Sequence, residues 1–282
     1  MRKGLLISGV LLGSMVLSGC SAAGTSRDMQ AHARLDESRN LIVYPLDEYR
    51  VSDDQIRTME LARIRIVEGC LRDHGIPVKP VEGRRDGLDW GSRNYGLWNE
   101  TAARREAQLM ASVGQNHEDR GTFYDAATGD VRAQCLEERK DQVQRVSFVE
   151  GDQNYGLADK LSLEVNDKAK NTPEWRNAVA DWESCLKDNG LTPVREQWIT
   201  QESLNASSKD LSDPGNAEEL TRVSLLEAKC SQSTGMAQKL ADIEASFQIP
   251  LIEEHQAELN EVKNLIQAKV QGAQSFLQGA ES

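Results

Sequence analysis

Apolar positions along this chain recur mostly at helical spacing, and glycine or proline marks where each run stops. Two stretches show the pattern most clearly, CLRDHGI from residue 70 and CLKDNGL from residue 185. Ahead of the first, Glu60, Ile64, Val67 and Leu71 follow the i, i+4, i+7, i+11 positions of one helix face. Ahead of the second, Trp175, Val179, Trp182 and Leu186 give a fully apolar version of that stripe. Gly75 and Gly190 then occupy the place of a left-handed cap residue. Ile-Pro-Val and Leu-Thr-Pro-Val follow, where proline keeps the helix from resuming. Helix starts are equally marked. Ser52-Asp53-Asp54-Gln55 reads as a capping box. Thr172-Pro173 and Asp213-Pro214 each read as a cap followed by proline at the first helical position.

A second echo, NYGL at 94–97 and 154–157, is out of register with the first. Each copy precedes a helix-like run, so Asn-Tyr-Gly suits a turn. The functional alternative is a paired ligand contact through Tyr95 and Tyr155. From Met236 to Phe276 the chain is rich in Ala, Gln, Glu, Lys and Leu, with an interruption expected at Ile249-Pro250. Beyond it Ile252, Leu259, Val262, Ile266 and Val270 recur near helical spacing. That segment is either packed on its own domain or an arm reaching to a partner. Runs suited to strands are few: LIVY at 41–44 and RVSFV at 145–149. The expected fold is mainly α, two disulfide-stapled helical halves with long irregular loops and a long C-terminal helix. The halves are expected at 51–150 and 151–235, with the C-terminal helical segment at 236–282.

The N-terminus changes the picture. Arg2 and Lys3 precede an uncharged, mostly apolar stretch, Gly4 to Gly19, too short for the roughly 20 residues of a spanning helix. It ends in Leu17-Ser18-Gly19-Cys20, which resembles the lipobox of bacterial lipoprotein precursors, whereas an ordinary secretory signal needs no Cys after its small residues. The resemblance implies a signal peptide over 1–19, cleavage before Cys20 and lipidation of its sulfur. Residues 20–50 are then expected as the lipidated Cys and a flexible tether. The localisation implied is the extracytoplasmic face of the cell membrane, with the lipid as anchor. Loss of 1–19 removes Arg2 and Lys3, so the formal charge of −12 becomes −14. Such a chain is repelled by nucleic acid, whose binding depends on Lys and Arg neutralising phosphates.

Four cysteines remain: Cys70, Cys135, Cys185 and Cys230. An even number in an exported chain favours disulfides over free buried thiols. The repeat selects one connectivity, Cys70–Cys135 and Cys185–Cys230, each joining a CL(K/R)Dx-G stretch to a cysteine in a later charged segment. Each cross-link would stabilise by roughly 4 kcal/mol through the unfolded chain. A zinc site or redox motif would call for closely spaced pairs such as C-x2-C, which the sequence lacks. No metal and no cofactor are therefore expected.

Catalytic signatures such as G-x-S-x-G, G-x-x-x-x-G-K and H-E-x-x-H do not occur. His32, His74, His117 and His255 are scattered, and Asn189 stands where the other repeat copy has His74. Pairs such as Glu137-Glu138 and Glu253-Glu254 suit solvated helix faces and do not by themselves indicate acid–base catalysis. The lipobox, W-x-x-C-(L/M)-x-x-x-G from Trp182 to Gly190, a Tyr-Gly turn and a later Cys in a charged helix together resemble uncharacterised actinobacterial surface lipoproteins. Some members of that group belong with envelope transport systems. The resemblance implies location and class and carries no catalytic residues. The function expected is that of a non-enzymatic binding or accessory protein of the cell envelope, with an envelope protein as partner. The alternatives are a solute-binding lipoprotein of an importer and, after that, an envelope hydrolase.

Overall fold

The computed structural model describes residues 26–78, 91–113, 126–152 and 154–280. Those residues are mainly α-helical. In chain order they form β1 (Arg34–Asp36), β2 (Leu41–Val43), a short 3-10 helix (Pro45–Tyr49), α1 (Asp53–Asp73), α2 (Glu100–Val113) and α3 (Ala126–Glu138). Next come α4 (Lys140–Val146), α5 (Leu157–Lys170), α6 (Pro173–Asp188), β3 (Pro193–Val194) and β4 (Ile199–Thr200). The last described elements are α7 (Gln201–Ser207), α8 (Pro214–Thr234), α9 (Met236–Glu254) and α10 (Gln256–Ala280). Each strand pair is a small antiparallel ribbon, with Leu35 opposite Ile42 in one and Val194 opposite Ile199 in the other.

The boundary signals act as the sequence indicates. Ser52 accepts from the Gln55 amide while the Gln55 side chain accepts from the Ser52 amide. Thr172 caps α6 through the Trp175 amide, and Asp213 caps α8 through Gly215 and Asn216. The repeated heptapeptide is a helix stop used twice. Gly75 and Gly190 lie at φ +76° and +74°. Ile76 N–H donates to Leu71 O and Gly75 N–H to Arg72 O, and Leu191 and Gly190 repeat both bonds onto Leu186 and Lys187. These are the paired bonds of a Schellman cap, with the apolar residue after glycine packed near the last helical leucine.

The stripe ahead of Cys185 is buried throughout, at Trp175, Val179, Trp182 and Leu186. Ahead of Cys70 the burial differs from the expected stripe: Val67 and Leu71 are buried with Cys70, but Met59, Ala62 and Ile66 form a second buried face. The reason is that α1 packs on two sides, against α3 through the first group and against α4 and α10 through the second.

The main core gathers around α9. Six consecutive residues, Ile243 to Gln248, are buried, as are Met236, Leu240 and Leu251. Helices α5, α6, α8 and α10 and the 3-10 helix all pack on it. This settles the alternatives for the C-terminal segment: α9 and α10 are core, with Leu259, Val262, Ile266 and Ala273 of α10 also buried. The expected interruption at Ile249-Pro250 lies elsewhere, since α9 continues to Glu254 and the break is at His255. Proline cannot donate to the carbonyl four residues back. That carbonyl, Ser246 O, accepts instead from the Asp28 amide at 2.8 Å.

The tether expected over residues 20–50 is corrected from residue 27 onward. Arg27 donates to Ser246 Oγ (3.0 Å), and Ala33 N–H donates to Asp242 (3.0 Å). Gln238 donates to Ala33 O (2.9 Å), and Leu46 N–H donates to Gln248 (2.9 Å). Ile42, Tyr44, Leu46 and Tyr49 are buried in the main core. The two halves pack on each other and on the C-terminal segment, α2 of the first on α8 of the second and α1 on α10. The strand-like run at 145–149 instead closes α4, with Val146 its last residue.

Helices α4 and α10 approach closely at Gly272, where an added Cβ would lie 2.3 Å from Arg145 O. One turn earlier, Lys269 donates to Gln144 O at 2.6 Å. Gly272→Ala is expected to destabilise by about 1–3 kcal/mol, whereas Gly279→Ala, facing open space, should be neutral or stabilise by up to about 1 kcal/mol. Equilibrium denaturation of both variants checks the contrast.

Candidate functional site

The disulfides join the expected partners. Cys70 pairs with Cys135 and ties the end of α1 to α3, with Cα atoms 5.7 Å apart. Cys185 pairs with Cys230 and ties α6 to α8 at 5.6 Å. In both places the cysteine lies one turn before the helix stop, which fixes where the second helix meets the first.

Beside the first bridge lies a groove of about 550 Å³ between α1, the start of α4 and the end of α10. Leu61, Ile66, Phe276 and Leu277 give it an apolar floor, and Arg65, Arg72 and Arg139 bring guanidinium groups to its rim. Arg65 pairs with the buried Glu68 at 3.0 Å and Arg139 with Asp73 at 2.7 Å. Asp73 lines the groove as well, so the three arginines set against Glu68 and Asp73 leave one net positive charge beside its apolar residues, on a chain of formal charge −12. Such a surface favours an amphipathic segment carrying acidic groups.

The two bridges have different neighbours. His74 Nε2 lies 3.0 Å from Glu138 Oε2, and that oxygen lies 3.4 Å from Cys70 Sγ. Gln134 donates to the other Glu138 oxygen at 2.7 Å. Hydrogen bonding by His74 and then by Gln134 holds the Glu138 carboxyl below its usual range. One potential ligand atom from each of Cys70, His74, Cys135 and Glu138 falls within 4.8 Å of the others. At the second bridge Asn189 and Ser233 take the corresponding places, each with a polar atom 3.8 Å from Cys185 Sγ. Sequence reasoning expected no metal-binding group because it sought closely spaced cysteines. The signal it passed over is Cys-x3-His on one helix and Cys-x2-Glu on another, brought together only by the cross-link.

Tyr95 and Tyr155 are not a matched pair. Tyr95 is buried, its hydroxyl 2.7 Å from that of Tyr44 and its ring edge-on to Trp175 and Trp198. A buried ring in an aromatic cluster cannot meet an external ligand, which corrects that expectation. Gly96 beside it lies at φ +76°, and a Cβ there would sit 2.2 Å from Trp198 O. Tyr155 is instead exposed and stacks on Phe148 at 4.0 Å. Cys20 lies outside the described residues.

Carboxyls buried in the core differ in kind from Glu138. Burial pushes Glu227 and Glu244 up, the first held by the amide and hydroxyl of Thr200 and the second by Asn166. Compared with family models, curated proteins and solved structures, the chain matches none. No helix among the described residues is long and apolar enough to cross a membrane.

A carboxyl held low in the fold stabilises it above the unfolded-state pKa and loses that contribution as pH falls through the lowered value. Glu138→Gln should therefore flatten part of the acid limb of stability below the usual value of 4.5. Thermal midpoints measured from neutral pH downward read this, and parallel curves for variant and wild type would show that the pair contributes nothing.

Proposed function

We propose that this chain is a membrane-anchored extracytoplasmic lipoprotein that works by contact, as a non-enzymatic accessory protein of the cell envelope. The observation that carries the reading is Leu17-Ser18-Gly19-Cys20 at the end of an uncharged apolar run. Two disulfides agree with an oxidising compartment. Their placement, stapling helix ends among packed helices, suits a rigid body that presents a surface.

The attachment of residues 27–33 to α9 adds a geometric consequence. A lipid on Cys20 is separated from docked Arg27 only by residues 21–26, which span at most about 25 Å when fully extended. The body is then held close to the bilayer and meets partners that reside in or on it. Confinement at the surface raises the effective concentration for even a weak contact. The arginine-rimmed groove is the face assigned to an acidic, amphipathic segment of an envelope protein, with a transport component as the finer version of that partner.

A solute-binding lipoprotein of an importer is the second reading. Such binders usually alternate strands and helices in two lobes, whereas the described residues are helical with two two-stranded ribbons. The fold therefore favours the accessory role.

Cys20→Ala is expected to abolish metabolic palmitate labelling and either release the chain from the membrane fraction or leave an uncleaved precursor. Labelling that persists in that variant would overturn the lipoprotein reading. With the anchor intact, Arg72→Glu should weaken cross-linking to the membrane partner without altering labelling.

A further inference from the structure

The chemistry around the first disulfide goes beyond a staple. Cys70 lies in the last turn of α1 and His74 is its C-cap residue, and Cys135 and Glu138 lie in the last turn of α3. Both sulfurs are buried, while His74 and Glu138 sit at the mouth with side chains 33 % and 42 % exposed, so an ion can reach the group from solvent. Two thiolates, an imidazole and a carboxylate are a complete tetrahedral donor set for zinc. Zinc–ligand bonds of about 2.0–2.3 Å place tetrahedral donors roughly 3.3–3.8 Å apart. His74 Nε2 and Cys70 Sγ already lie 3.0 and 3.4 Å from the Glu138 oxygen.

We infer that Cys70, His74, Cys135 and Glu138 form a redox-gated zinc site, closed to metal while the cysteines are bonded to each other and opened when that bond is reduced. The step balances with an external dithiol as reductant. Its two S–H groups become a disulfide, the Cys70–Cys135 bond breaks, and each sulfur gains one electron and one proton. Zinc binding then displaces those two protons, and the sulfurs move apart to become ligands. The ion takes over the cross-link between α1 and α3, so either oxidation state keeps the two helices joined.

The molecule carries its own control. The second bridge has the same helix stop and the same relation between its two cysteines and the residues that follow, but Asn189 replaces His74 and Ser233 replaces Glu138. An amide and a neutral hydroxyl are poor zinc ligands beside an imidazole and a carboxylate. A structural staple needs no particular side chains at these positions, as the second copy demonstrates. The imidazole and carboxylate of the first copy, already in contact with each other and the carboxylate with sulfur, are what a metal requires.

The test titrates cobalt(II), then zinc, into the purified full chain before and after anaerobic reduction with a phosphine, with far-ultraviolet circular dichroism followed throughout. The oxidised protein should show no sulfur-to-cobalt charge transfer. The reduced protein should bind one ion with a tetrahedral, thiolate-type spectrum that zinc abolishes. H74N/E138S, which gives the first site the side chains of the second, should lower zinc affinity by more than about 100-fold, since even outer-shell partners are worth about 10–100-fold. Equal affinity in H74N/E138S, or no tetrahedral spectrum from reduced wild type, overturns the proposal. Reduction also opens the second bridge. Should it melt the fold, zinc must restore the helical signal in wild type and fail to do so in H74N/E138S, and a melted wild type that zinc does not refold equally overturns it.

Discussion

Helix α9 is buried along most of its length, and its inward-facing polar side chains are satisfied from within the molecule. A buried polar group without a partner costs about 1–3 kcal/mol, so the groups on α9 dictate what must lie next to them. Gln248 holds the Leu46 amide, Asp242 and Gln238 hold the two backbone groups of Ala33, and Glu244 is held by Asn166 of α5. Pro250 extends the demand to the backbone, because the Ser246 carbonyl it leaves open is filled by Asp28. Residues 27–46 are thereby drawn across a helix some two hundred positions away in sequence. The remaining helices complete the enclosure, and the disulfides fix two of their meeting points.

This arrangement connects the core to the membrane reading. Docking the chain from Arg27 onward leaves little free length after Cys20, so an anchor there would set distance as well as location. Arg27 is held three ways, by Ser246, by an ion pair with Glu174 at 3.3 Å, and over the Phe247 ring at 4.8 Å. Force or crowding at the anchor would act first on this contact, directly above α9.

Features encoded locally were legible in the sequence. The capping box at Ser52, the caps at Thr172 and Asp213, and the helix stops at Gly75 and Gly190 depend on residues within one turn of each other. Repetition of one such stop made the cysteine pairing readable as well. Long-range polar contacts were not. Gln238, Asp242, Glu244, Ser246 and Gln248 resemble the solvent face of any polar-rich helix, because nothing local distinguishes a glutamine bonded to water from one bonded to the Leu46 amide. The small, polar residues before Ile42 read as a tether for the same reason: their partners are side chains of α9 and the Ser246 carbonyl, met only in the folded chain. The His74–Glu138 contact was hidden because it joins two helices through a disulfide. The groove is hidden too, since α1, α4 and α10 meet only in the folded chain.

If α9 is the element on which the rest depends, its amides should open only when the whole molecule unfolds. Native-state hydrogen exchange resolves this residue by residue. The central amides of α9, from Leu240 to Gln248, should exchange most slowly, with an opening free energy equal to that of global unfolding, and the Asp28 and Leu46 amides should share much of that protection. Exchange of α9 through local opening, at rates like those of the short surface helix α7, would contradict the account.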